Sequence, residues 1–247
     1  MKFGPLSFSV LEYAAWAPGI ETKSAWTNWA FHPIFDKTVS EPKLQAMSPM
    51  LRRRTDLLGK MALESAWQCL GDQKNIPIVY CSRHGEVARS VGMLTDLAQG
   101  ELLSPASFSL SVHNAIAGLF SIARSDRVNH IAIASKEDVA ESALIEACGL
   151  LADGAEKVMV VIYSNALPHQ LAVFADREEL PYSWAWLIVP PQKEVITLSC
   201  VESTEIENPS DTLLPHELEV FRFFLTGMKQ LEIRTSRNAW MWRRYHA

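Results

Sequence analysis

The stretch 131–164, IAIASKEDVAESALIEACGLLADGAEKVMVVIYS, constrains this chain more than any other. Its ends, IAIA and VMVVIYS, are short runs without a charge. Between them apolar residues recur at Val139, Ala143, Leu144, Ala147, Leu150 and Leu151. Intervals of three and four mark one face of a helix, and a short uncharged run bounded by turn residues is a strand buried on both sides. The spacing therefore predicts strand, helix, strand. Strands joined by a helical crossover lie parallel in one sheet, with helices over its faces. Ser135 and Asp138 have the spacing of a capping box, which puts Glu137 in the first turn of the helix.

The flanking segments extend the pattern. Leu6, Phe8 and Val10 alternate as in a strand, IPIVYCS (76–82) is a central strand, and VARSVGMLTDLAQG (87–100) is a helix closed by Gly100. SPMLRRRTDLLGKMALESAWQCLG (48–71) is predicted as one helix, capped by Ser48, opened by Pro49 and stopped by Gly71. Segment 21–43 is polar with interspersed aromatics and is expected to be irregular surface structure. SPASFSLSVHNAIAGLFSIA (104–123) is expected to begin extended and end helical. YSWAWLIVP and VITLSCV are further strands, PHELEVFRFFLTG is a last helix, and WMWRRYHA is a tail that docks a partner or frays. The fold class is α/β.

Composition excludes several functions. With 247 residues, 48% hydrophobic and a net charge of −5, the chain is an ordinary globular protein without the basic surface that nucleic acid requires. No run approaches the about 20 apolar residues that span a bilayer, so it is not expected to be integral to a membrane. Cys69, Cys81, Cys148 and Cys200 have no paired spacing and are expected to be reduced thiols of a cytoplasmic protein. His32, His130, His169 and His216 have no metal-ligand spacing, so neither metal nor other cofactor is expected.

Two motifs bear on chemistry. Arg83, His84, Gly85 and Glu86 follow a strand and match the Arg-His-Gly-Glu signature of the histidine phosphatases, in which the histidine is phosphorylated and the arginine binds phosphate. That family opens with its motif, whereas here it begins at residue 83. A phosphatase-like enzyme is therefore the alternative reading.

The longer motif runs from Ser104 and Pro105 through Asn114 and Gly118 to Asp153, Gly154, Val158 and Met159. It resembles the N-terminal half of the β-ketoacyl synthases, where Ser-Pro and Asn-x-x-x-Gly segments lead to a strand, a cysteine nucleophile, a helix ending Asp-Gly, and a second strand. Counting forward from Asn114 and backward from Asp153 reaches one residue at the nucleophile position, Glu137. The resemblance implies a thiolase-like half fold with a five-stranded mixed sheet and helices on both faces. It covers residues 1–165, leaving 166–247 as a C-terminal extension that completes the sheet and ends in the Trp/Arg-rich tail. Whole synthases add a second half bearing catalytic histidines, for which this length leaves no room.

The resemblance further implies a non-catalytic subunit, similar to the chain length factors of polyketide and aryl polyene synthesis, paired with a complete synthase through HIAIAS (130–135) and served by acyl carrier protein. Ser107, Phe108, Ser111, His113 and Asn114 would line the interface and the end of the partner's acyl tunnel, with the serines on one face of an extended segment. Glu137 is open to three readings: an ordinary acid of a first helical turn, a counterpart of the glutamine that replaces cysteine in chain length factors, or a participant in malonyl decarboxylation. His113 is either a base or a hydrogen-bonded structural histidine.

Overall fold

The computed structural model describes residues 4–35, 40–201 and 214–246. In chain order the elements are β1 (Leu6–Trp16), α1 (Lys23–Phe31), α2 (Pro49–Arg52), α3 (Leu57–Leu70), β2 (Ile78–Ser82), α4 (Val87–Ala98), α5 (Pro105–Ser109), α6 (Ala115–Arg124), β3 (His130–Ala134), α7 (Val139–Ala152), β4 (Val158–Ser164), a 3-10 turn (His169–Phe174), β5 (Tyr182–Val189), β6 (Glu194–Val201), α8 (His216–Thr226), β7 (Gln230–Arg234) and β8 (Ala239–His246). The strands form one sheet in the order β3-β2-β4-β5-β1-β6-β8-β7. β2 is parallel to both β3 and β4, and every other pairing is antiparallel. The mixed sheet thus has eight strands rather than the five expected, because β5, β1, β6, β8 and β7 continue it past β4.

Both sheet faces are apolar, and alternate residues of each central strand serve opposite cores. Tyr80, Met159, Val161, Ala185 and Leu187 pack under α3 and α6. Val79, Cys81, Val160, Ile162, Trp184 and Trp186 pack under α7, α8 and α1. The second core is aromatic: the Phe221 ring stacks on Trp184 at 5.5 Å and meets the edges of Trp26 and Tyr13. Ser65, on the inner face of α3, is buried because Ser183 receives it at 2.6 Å and passes its own proton to the Met61 carbonyl, also at 2.6 Å.

Four local expectations are corrected. Helix 48–71 is two helices, because Thr55 donates to the Arg52 carbonyl and the Asp56 carboxylate accepts from the Gly59 N–H at 3.0 Å, restarting the helix, while Ser48 caps nothing. Segment 21–43 holds α1, capped by Thr22, whose Trp26 and Trp29 are buried one turn apart. Segment 104–109 is helical from its start, since Ser104 accepts from the Ser107 N–H and Pro105 sits at the first helical position. Residues 240–246 of WMWRRYHA are no tail: they belong to β8, which pairs with β6 along all eight of its residues, while Ala247 lies outside the described residues.

Phe221→Ala should remove the ring that Tyr13, Trp26, Trp184 and Phe224 share and cost about 3–5 kcal/mol. Urea denaturation followed by tryptophan fluorescence measures this, with an unchanged dependence on urea concentration.

Candidate functional site

After β2 the chain turns toward α4 and α6, and after β3 it enters α7 on the opposite face. Adjacent parallel strands whose connections leave for opposite faces open a crevice at their carboxyl ends, where α/β sheets place their sites. Arg83, His84 and Gly85 leave β2 there, and Ser135 to Asp138 leave β3.

Asp138 is the N-cap residue of α7, so Glu137 lies just outside the helix rather than in its first turn. The expected capping box does not form. Ser135 is bonded to Ser142 instead, and the Asp138 carboxylate accepts from Asn238 Nδ2 at 2.8 Å and Trp240 Nε1 at 2.9 Å. Glu137 is held in the same way: its carboxylate accepts from the Ser236 backbone N–H at 2.6 Å and hydroxyl at 2.9 Å, with Lys136 Nζ at 3.4 Å. One turn on, Glu141 is 1% exposed and accepts from Trp242 Nε1 at 3.1 Å. Three acids at the start of α7 therefore receive successive donors of the β7–β8 hairpin, whose turn covers the strand–helix junction.

The protonation of this ladder is uneven. Partial burial pulls Glu137 upward, but the two Ser236 donors and Lys136 outweigh it and hold the carboxyl below its ordinary value. Burial pushes Glu141 up to about 8, with Asp138 adding to the rise. Glu137 is an anion held by donors of its own chain.

The Arg-His-Gly-Glu segment is also engaged internally. Arg83 makes a two-pronged pair with Asp176 at 2.6 and 2.7 Å, and His84 Nε2 lies 2.6 Å from Glu179, whose other oxygen accepts from the Leu167 N–H. Arg83 holds Asp176 below the usual carboxylate range. Glu86 is buried beside Arg89 and Asp56, and burial raises it to about 7. The cation that would bind phosphate is occupied by the protein's own carboxylates.

The remaining predicted residues separate into two groups. His113 donates to the Ile133 carbonyl at 2.8 Å, and its ring packs on Gly85, where a Cβ would collide with it and where φ is +53°. It braces the exit of β2 against the end of β3, which is the structural reading of this residue. Ser107, Phe108 and Ser111 lie on or just after α5, so large and small side chains do not alternate across an extended strand. Ser111 donates to the Phe108 carbonyl, while the Phe108 ring is 65% exposed. Asn114 is the N-cap residue of α6 and its carbonyl accepts from the Gly118 N–H, so Asn-x-x-x-Gly is a first helical turn. Among the described residues no group of three or more His, Cys, Asp or Glu is placed to hold a metal, and no helix is long and apolar enough to cross a membrane.

The model of the β-ketoacyl synthase N-terminal domain matches residues 26–243. The chain belongs to this family. Among solved structures, a chain of the Xenorhabdus doucetiae ketosynthase (ApeO) in complex with its chain length factor (ApeC) superposes with a TM-score of 0.85 at 26% identity, covering 96% of this chain and 99% of that one. The ishigamide ketosynthase/chain length factor gives 0.62 at 13% identity over 78% of this chain and 65% of that one. AntDE:AntF, a type II acyl-carrier protein in complex with its ketosynthase, gives 0.56 at 15% over 76% and 64%. The last two show the fold alone, and this chain spans about two thirds of each. No curated protein matches. The thiolase-like ketosynthase fold expected from the resemblance is the fold observed, and neither the family match nor these structures supports the phosphatase alternative.

Within this β-ketoacyl synthase fold, the partners of Glu137 and Asp138 lie about a hundred positions away along the chain. No local spacing announces them. Asp176 and Glu179 were equally silent, lying 93 and 95 positions from Arg83 and His84.

Two outcomes test the ladder. Glu137→Ala should release the hairpin turn and speed amide exchange at Ser236 at least tenfold, whereas Glu137→Gln, which keeps an acceptor, should change it much less. Hydrogen exchange read by mass spectrometry across 230–246 separates them. The second concerns pH. Glu141 and Glu86 have an ordinary value of 4.5 when unfolded and about 8 and about 7 when folded. The folded state then keeps protons that the unfolded state has lost, so their contribution is complete below 4.5 and falls as pH rises toward 8. Thermal unfolding should occur at lower temperature at pH 8.5 than at pH 5.5, and Glu141→Gln should flatten that slope.

Proposed function

We propose that this chain is the non-catalytic, chain-length-factor-like subunit of a condensing enzyme of the fatty-acid and polyketide type, in aryl polyene synthesis, paired with a complete β-ketoacyl synthase that receives its substrates on acyl carrier protein. Glu137 carries the reading. It stands at the nucleophile position counted from the family motif, and its carboxylate is clamped by Ser236. A carboxylate attacking a thioester forms only a mixed anhydride, a poor carrier for carbon–carbon bond formation. In this reading residues 1–165 are the synthase-like half, residues 166–247 close the sheet and the vacant mouth, and the subunit condenses nothing alone.

The two sheet edges support the assignment of the partner's place. β7 carries Gln230, Glu232 and Arg234, with Glu232 paired to Arg234, the charged edge by which sheets resist further pairing. β3, His130–Ala134, has no acid or lysine or arginine, is half-exposed, and pairs only with β2 among the described residues. α4, which packs on α5, has no buried residue although its apolar positions recur with helical period, and Leu94, Leu97, Leu102, Phe108, Val112 and Ile122 are all exposed. An uncharged open edge and exposed apolar side chains are what an obligate partner covers.

Co-expression with a cysteine-bearing synthase should yield a one-to-one complex, and Leu94→Asp combined with Leu97→Asp should weaken it at least tenfold without altering the fold of the free chain. Light scattering and titration calorimetry check both. The tunnel end falls to Phe108 rather than to a serine face, because its ring projects away from this chain. Each methylene given apolar room gains about 0.8 kcal/mol, so Phe108→Ala should lengthen carrier-bound products by one or two extension cycles in an intact complex, read by mass spectrometry.

A further inference from the structure

We propose that the 3-10 turn His169–Phe174 is a second docking element, whose tip residues Val173 and Phe174 insert into an apolar pocket of the partner synthase beside the β3 edge. The proposal rests on the reading above and adds to it a contact surface and the residues that aim it. Val173 is 83% exposed and Phe174 71% exposed, and they are adjacent. Single exposed apolar residues are common on monomers, but this pair stands on a turn that is tied down on its C-terminal side residue by residue.

Asp176 is held by both Nη atoms of Arg83 and lies 3.8 Å from Lys136 Nζ. Arg177 pairs with the buried Glu217 of α8 at 2.8 Å. Glu179 joins His84 to the Leu167 N–H, closing the segment across its own base. Ordering surface backbone costs about 1–2 kcal/mol per residue, and burying ions such as Arg83 and Glu217 adds a desolvation penalty. What these anchors achieve together is a fixed position for an apolar tip.

That position is next to the partner. Arg83 directly follows β2, Lys136 follows β3 by two residues, and both reach Asp176. Phe174 precedes Asp176 by two residues, about 7 Å of chain. The tip therefore stands near the carboxyl end of the uncharged edge strand that the partner covers in the reading above. Rigid aromatic anchors are the side chains that carry interface energy when a pocket receives them. Arg83 and His84, the motif that no phosphoryl chemistry absorbs, are positioning residues for this turn.

The test uses the complex with the co-expressed synthase. Val173→Ser with Phe174→Ser should raise the dissociation constant at least tenfold and leave thermal unfolding of the free chain unchanged, since both side chains already face solvent. Asp176→Asn should give a smaller loss with the tip intact, together with faster amide exchange across 169–176. In the wild-type complex that segment should be protected relative to the free chain. Binding of the double variant within twofold of wild type, or equal exchange across 169–176 in the free and bound chain, overturns the proposal. If Leu94→Asp with Leu97→Asp abolishes binding while the tip variant does not, only this inference fails. Absence of any complex from the wild-type pair overturns the subunit reading as well.

Discussion

The clamp between the start of α7 and the β7–β8 hairpin is the interaction on which the rest of the site depends. Glu137, Asp138 and Glu141 supply acceptors; Ser236, Asn238, Trp240 and Trp242 supply donors. The hydrogen bonds to the Glu137 and Asp138 carboxylates contribute about 1.5–3 kcal/mol each, and they join segments about a hundred residues apart. The hairpin completes the sheet and stands at the mouth of the crevice. A cysteine at the same position would gain thiolate character from the helix N-terminus. A carboxylate there gains Ser236 instead, and the site is closed from within.

Closure of that crevice goes with an asymmetry in the sheet. The β7 edge is charged and self-limited, whereas the β3 edge is uncharged and half-exposed, and among the described residues α4 has no buried side chain. On the subunit reading proposed above, one side of the sheet carries the clamped Glu137 and the other the edge left for a partner. A subunit that shapes a partner's tunnel needs that combination: a rigid, inert site and one adhesive edge. The ion-pair cluster around Arg83 serves the same end, since it spends its charge on holding the chain's own turn.

Much of this was legible in the sequence, for physical reasons that also explain what was not. The 131–164 unit was readable because uncharged strand runs and the three- and four-residue apolar spacing of a helix differ in period, and β2, α4, β4 and α8 were readable on the same ground; β3, expected to be buried on both sides, is instead a half-exposed edge strand, because no strand among the described residues covers its outer side. The place of Glu137 between β3 and α7 was reachable because a strand and a helix of fixed rise bound it on either side. Its role was not. Helix caps were misjudged where two candidates competed, as at Ser48 against Asp56, and where a distant donor captured the capping carboxylate, as at Asp138. β8 was hidden because Arg243 and Arg244 interrupt its alternation, although Trp240 and Trp242 mark the buried face.

The most direct test of the account is the condensation rate of the assembled complex with Glu137→Gln. Glutamine keeps one oxygen acceptor for the Ser236 donors, its NH2 can donate to the Ser236 hydroxyl, and it carries no nucleophilic carboxylate, so the rate should stay within a few-fold of wild type while the heterodimer remains intact. A loss of two or more orders of magnitude with assembly unchanged would show that the carboxylate takes part in chemistry, and would contradict the assignment of this chain as the inert half of the pair.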